Sequence, residues 1–267
     1  MYAGAAVAVG LFTSMSPSAV AWLRCLGAAV VLVAWRRPPR GAWRGRPLLL
    51  AGTFGLVTAG MNVLFYEAIA RLPLGTAVAL EFAGPVVVAA IGSRTRRDFL
   101  ALLLVVAGVV AIADVRLAGS GLGVVFALGA ALAWAAYILL GQRVATGGNG
   151  IDGLAVGFAV ATVALSPLAL QTGAVWGSPR LLVLGIGVGV FSTVVPYGLD
   201  QVVLARVGRA RFALLLALLP VAAGVTGFVL LAQVPSLPEA LGTLAVVLGV
   251  ALRGRGSRPE VLTEPPG

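Results

Sequence analysis

Histidine and lysine are absent from the 267 residues, and cysteine occurs once. Without histidine there is no imidazole metal site, no Ser–His dyad and no histidine proton relay. The single thiol, Cys25, cannot close an internal disulfide and is expected as a small apolar residue in a packed helix. Charge is scarce too. Only 10% of residues are charged, against about 25% in soluble domains, while 60% are hydrophobic and the mean hydropathy is +1.05. That composition excludes a water-soluble fold. Neither HExxH nor GxSxG occurs, and no pair of aspartates lies within the membrane segments, which argues against a membrane-embedded enzyme. The nucleotide-binding pattern GxxxxGK[ST] is missing, and the loops at 94–98 and 147–152 leave no room for an ATPase domain. Any active transport is therefore secondary, and no cofactor or metal is expected.

What the chain does have is apolar runs. A bilayer core of roughly 30 Å is crossed by about 20 apolar residues. Runs of about that length fall at 17–35, 48–70, 74–92, 98–114, 120–141, 153–173, 181–202, 211–232 and 237–252. Residues 1–13 form a further apolar segment too short to span, so the first helix is expected to be truncated, either a remnant or the end of a longer one. It lacks the basic leader of a signal peptide.

All 19 basic residues are arginine, and their placement sets the topology. Counting the short first segment as a crossing, Arg36, Arg37, Arg40, Arg44, Arg46, Arg94, Arg96, Arg97, Arg143, Arg206, Arg209, Arg211, Arg253, Arg255 and Arg258 share one side. Arg71, Arg116 and Arg180 take the other, and Arg24 lies within a span. The positive-inside rule places the first group, with the C-terminus, in the cytoplasm. The net charge of +10 then reflects loops at anionic headgroups, not nucleic acid. The proline-rich tail, 253–267, is expected to be disordered.

Glu81 stands within the run 72–91, four residues before Pro85. A carboxylate at that depth costs roughly 2.5–3.5 kcal/mol on insertion scales, and one that persists there usually marks a pathway for substrate, ion or proton. Arg24 and Glu81 lie about seven residues inside their spans, roughly 10 Å deep, and Asn62 reaches a similar level. Tyr66 and Glu67 are shallower. Together these side chains offer a zwitterionic amino acid an ammonium partner in Glu81 and a planar fork for its carboxylate in Arg24. The same two charges would also satisfy each other as a structural ion pair, and both readings stand at this point. Trp35 and Trp176 read as interfacial belt residues. Trp22, Trp134 and Tyr137 lie deeper, where they either line a cavity or pack the core. Asp200 is placed near the cytoplasmic end of its span, as a gate or a solvated carboxylate.

A weak internal repeat accompanies these features. Residues 75–92 align with 210–227 at a shift of 135, pairing Pro85 with Pro220, and 102–110 resembles 243–251. Five spans separate the matched segments, so the two copies run in opposite senses. The expected fold is an all-α polytopic bundle of five plus five helices in inverted repeat, with substrate at the repeat interface near the midplane. The expected units are 1–116 and 117–252. Proline removes its own N–H and crowds the carbonyl four residues back. Pro85 and Pro220 thus free the carbonyls of Glu81 and Leu216 and are candidate helix breaks, as is Pro196.

The strings 62–85 (NVLFYEAIARLPLGTAVALEFAGP), 131–144 (ALAWAAYILLGQRV) and 195–207 (VPYGLDQVVLARV) resemble the EamA branch of the drug/metabolite transporter superfamily, nearest its RhtA-like threonine/homoserine exporters. The resemblance runs through nearly all of the chain. It implies a ten-helix, two-repeat exporter of small metabolites, plausibly amino acids, in the bacterial inner membrane and driven by proton exchange. By motif position it also implies roles for Asn62, Phe65, Tyr66, Glu81, Gly84, Pro85, Trp134, Tyr137, Pro196 and Tyr197. Two departures stand out: Leu219 precedes Pro220, and Gln233 stands, where acidic residues are usual. On this reading the substrate-binding residues are Arg24, Asn62, Tyr66, Glu81, Trp134, Tyr137 and Tyr197, and Glu81 also carries the proton. The partners are a small-molecule substrate, protons and the lipid bilayer. Competing functions are export of another metabolite or drug-like compound, a channel, and a non-transporting membrane scaffold or sensor.

Overall fold

The computed structural model describes residues 2–91, 95–146, 150–194, 196 and 219–254. Tyr197, Asp200, most of the first half of the span at 211–232 and residues 255–267 lie outside them. Among the described residues every regular element is helical: α1 (Tyr2–Leu11), α2 (Pro17–Arg36), α3 (Gly45–Ile69), α4 (Leu74–Glu81), α5 (Ala83–Ile91), α6 (Arg96–Thr146), α7 (Gly150–Ala164), α8 (Pro179–Gly189), α9 (Leu219–Leu231) and α10 (Leu237–Gly254).

Local chemistry sets many of these boundaries. Ser16 caps α2, its hydroxyl accepting from the Ala19 N–H at 3.2 Å, and Pro17 occupies the first turn, where no donor is needed. Ser178 and Pro179 repeat that device at α8. Three helices are long and apolar enough to cross a bilayer by length and composition: Pro17–Arg36, Gly45–Ile69 and Ser120–Gly141.

Elsewhere the uniform spans expected from hydropathy are broken. The run at 74–92 is divided at Phe82 into α4 and α5. The runs at 98–114 and 120–141 are joined in α6, which kinks at Ser120 (φ −151°, ψ 40°), a few residues beyond the expected unit boundary at 116/117. The run at 153–173 is α-helical only to Ala164 and continues as 3-10 turns. After Gly189 the run at 181–202 passes into a π-turn, Val190–Val194. Hydropathy registers which residues avoid water, not which hydrogen-bond ladder they adopt.

Among the described residues the bundle exposes large apolar side chains and sets glycines at several of its helix contacts. α10 exposes Leu237, Leu241, Leu244 and Leu248 at helical spacing and turns Gly242, Val246 and Gly249 inward. Close packing of backbones holds such bundles together where lipid removes the hydrophobic drive. A Cβ on Gly108 would come within 2.5 Å of the Gly242 carbonyl oxygen, and one on Gly249 within 2.7 Å of the Ala101 carbonyl oxygen. The alignment of 102–110 with 243–251 exchanges Gly108 with Gly249, and its extension exchanges Ala101 with Gly242. Residues matched by the sequence repeat thus make matching contacts.

A tight crossing joins α3 to α7. A Cβ on Gly55 would lie 2.0 Å from the Gly157 carbonyl oxygen, whereas Gly60 on the same helix faces open space. Gly55→Val is expected to destabilise the protein by at least the roughly 1–3 kcal/mol typical of overpacking, and Gly60→Ala to have little effect. Thermal unfolding in detergent, followed by loss of the monodisperse species, distinguishes the two.

Candidate functional site

Glu81 is the last residue of α4, and the break that follows has a local cause. Pro85 has no N–H for the Glu81 carbonyl, and the next bond, Val86 N–H to the Phe82 carbonyl, is long at 3.4 Å. The helix restarts immediately as α5, which presses against the second arm of α6. There a Cβ on Gly84 would sit 2.0 Å from the Ala131 carbonyl oxygen. The Glu81 side chain is 95% buried, makes no hydrogen bond to a described residue, and lies within electrostatic reach of Arg24 and Tyr2.

Arg24 occupies the matching depth on α2, seven residues from Pro17 as Glu81 is seven from Leu74. It is buried and heavily engaged. Its Nε donates to Thr193 Oγ1 at 2.8 Å, one terminal nitrogen donates to the Ser192 carbonyl at 3.0 Å, and the other reaches the Tyr66 hydroxyl at 3.4 Å. The guanidinium also lies 5.6 Å from the Tyr66 ring centroid. The π-turn supplies the first two acceptors. Its widened ladder brings Ser192 and Thr193, both buried, onto α2, where a Cβ on Gly189 would stand 2.4 Å from the Arg24 carbonyl oxygen. Among the described residues the ion pairs are Arg36–Asp152 and Arg71–Glu67, so Arg24 and Glu81 interact at longer range and do not form a salt bridge.

Asn62 is buried on α3, seven residues from its end, and donates to the Thr58 carbonyl at 2.9 Å. The structure thus assembles Arg24, Tyr66 and Glu81, with Asn62 at their depth. Trp134 adjoins this group through Phe82, packing edge-on at 4.9 Å between ring centroids. Tyr137 is set apart. It stacks on Phe54 at 5.0 Å, eight residues and roughly 12 Å along α3 from Asn62 toward the arginine-rich end. Trp22 is committed to packing, its indole N–H donating to the Thr162 carbonyl at 2.9 Å and its ring meeting Trp176. Pro220 is buried in the first turn of described α9, Pro196 lies just past the π-turn, and Tyr197 lies outside the described residues.

Glu67 belongs to a separate cluster at the opposite end of the bundle from the arginine-rich loops. It accepts from the Ser18 hydroxyl and pairs with Arg71 at 2.6 Å. Sequence reasoning passed over several partners. Tyr2 carried no signal in its short apolar segment. The Ser192–Thr193 pair, a polar step inside an apolar run ahead of a proline, was a usable one. So was Ser236–Leu237–Pro238–Glu239, a capping box in which the Ser236 N–H and hydroxyl donate to Glu239 Oε2 at 3.0 and 2.8 Å. Fully buried Glu239 also accepts from the Thr76 hydroxyl at 2.8 Å, and Gln233 Oε1 accepts from the Leu74 N–H at 2.9 Å. The turn between α9 and α10 therefore grips the start of the helix that ends in Glu81. Among the described residues no group of three or more Cys, Asp or Glu side chains is placed to hold a metal ion.

Comparison with known proteins places the chain in a family. The model of the EamA-like transporter family matches residues 121–254, a span that opens one residue past the Ser120 kink. The chain is 36% identical over 259 residues to the threonine/homoserine exporter RhtA of Salmonella typhimurium (strain LT2), covering 91% of this chain and 84% of that protein. With the threonine/homoserine exporter RhtA of Escherichia coli (strain K12) it shares 36% over 245 residues, or 86% and 79%. A crystal structure at 22% identity superposes over 94% of this chain and 91% of the other with a TM-score of 0.55, which shows a common fold. The chain is a multi-pass helical membrane protein and belongs to the EamA-like transporter family.

Proposed function

We propose that the chain exports small zwitterionic amino acids of the threonine and homoserine kind across a bacterial inner membrane, in exchange for protons, with its C-terminus in the cytoplasm. The observation that carries this reading is the buried Glu81 carboxylate, which makes no hydrogen bond to a described residue, at the depth of a buried arginine on the neighbouring helix. A cation at Glu81 and an anion at Arg24 are the two ends of an amino acid. The names of the curated relatives point to the same substrate class.

In the structure Arg24 is turned to Ser192 and Thr193, and Arg24 and Glu81 are both buried. Substrate entry exchanges those acceptors for the substrate carboxylate, while the ammonium displaces a proton from Glu81. Asn62, Tyr66 and Trp134 border the substrate, and Tyr197, outside the described residues, is assigned to it by its motif alone. Tyr137, roughly 12 Å lower, belongs to the approach from the arginine-rich side. Access alternates as mixed bundles move past one another. α2 and α3 are locked to α7 and α8 by glycine contacts, and α4 and the first arm of α6 to α9 and α10.

The test is efflux of preloaded labelled threonine and homoserine from proteoliposomes under an imposed proton gradient. Saturable efflux that collapses with the gradient is expected. Linear, non-saturable flux would make the protein a channel. No flux above empty vesicles, from oriented full-length protein, would reject this substrate class.

A further inference from the structure

The arginine-rich end of the bundle carries a feature that transport does not use. Between the start of α3, the end of α6 and the start of α7 lies an open cleft of about 480 Å³. Leu50, Ala51 and Val144 line it with apolar surface, and Arg46 stands at its rim beside Gly41 and Pro47. Arg40 and Arg44 bracket the same short 3-10 turn, Arg40–Trp43, and all three arginines are exposed. The acidic residue of the cleft, Asp152, is already neutralised, since Arg36 Nε donates to its Oδ1 at 2.9 Å. Trp35 is exposed ahead of the turn and Trp43 half-buried at its end, a placement that belongs to the headgroup level of a bilayer.

We propose that this cleft seats an anionic phospholipid, with the phosphate at Arg46 and its neighbours and an acyl chain along Leu50, Ala51 and Val144. The charge complementarity is local. Five arginines fall within residues 36–46, one is spent on Asp152, and the remaining four are exposed with no described carboxylate of their own. Basic pockets between membrane helices hold acidic headgroups in this way, and each arginine near the surface strengthens retention about fivefold. The apolar floor is what a free phosphate ion does not need and a lipid does.

Native mass spectrometry of the intact protein, released from vesicles of phosphatidylcholine with phosphatidylglycerol, tests the assignment. A retained phosphatidylglycerol is expected, lost about fivefold in Arg46→Gln and further in the Arg40→Gln, Arg46→Gln double variant. Arg180→Gln, an exposed arginine toward the other end of the bundle, should retain it as the unaltered protein does. Equal retention in all variants, equal retention of phosphatidylcholine, or displacement by millimolar inorganic phosphate would each overturn the proposal, the last by making the site one for free anions.

Discussion

Glu81→Gln is expected to reduce gradient-driven amino-acid efflux to the level of empty vesicles while leaving the protein inserted and folded. Glutamine keeps the shape and size of the side chain but cannot cycle a proton or balance a substrate ammonium. The described residues give Glu81 no hydrogen bond for the change to break. Replacing a carboxylate by an amide at this depth also lifts part of a penalty of roughly 2.5–3.5 kcal/mol, so thermal stability in detergent should hold or rise. Glu67→Gln provides the contrast. It loses an ion pair with Arg71 at the bundle's end, a contact of about 0–1 kcal/mol, and should transport nearly normally. A Glu81→Gln protein that exports at the usual rate would remove this residue from the mechanism, and one that unfolds would make its role structural.

Arg24→Lys should be nearly as damaging, for a different reason. Charge is preserved, but a lysine ammonium is a point donor that cannot reproduce the fork reaching Thr193, the Ser192 carbonyl and Tyr66 together. It also cannot offer the substrate carboxylate a paired fork, and losing one charge-assisted bond of about 1.5–3 kcal/mol there predicts a fall in kcat/KM of about 10- to 100-fold. A rise in KM exceeding the fall in kcat would assign Arg24 to substrate binding. A loss confined to stability, with both constants intact in the surviving protein, would leave it as a clasp on the π-turn.

How much of this was legible beforehand depended on whether the determining interaction was local. Each described helix overlaps an apolar run, because lipid exposure writes itself into composition. The division of 74–92 was foreshadowed by Pro85, since a missing N–H acts only four residues away. The glycine-bearing strings at 102–110 and 243–251 were visible as an alignment, although their packing against each other was not. Arg24 was recognised as buried, yet its partners Ser192 and Thr193 lie some 170 residues away, and nothing near Arg24 points to them. The kink at Ser120 was foreshadowed by the break between the runs at 98–114 and 120–141, whereas the π-turn at 190–194 was marked only by the polar Ser192–Thr193 step. Tyr137 stacks on Phe54, a contact across 83 residues of chain that its motif does not foretell.

The Gly55–Gly157 crossing has a consequence for biogenesis. α3 leaves the ribosome and enters the bilayer with its bare glycine groove turned to lipid, and its partner α7 is not yet synthesised. Until α7 arrives, that groove is an adhesive strip open to any small-faced helix, including one on a neighbouring nascent chain. The half of the chain that carries α3 therefore cannot cover that groove by itself. The vulnerable moment in the life of this transporter is the interval of translation between α3 and α7.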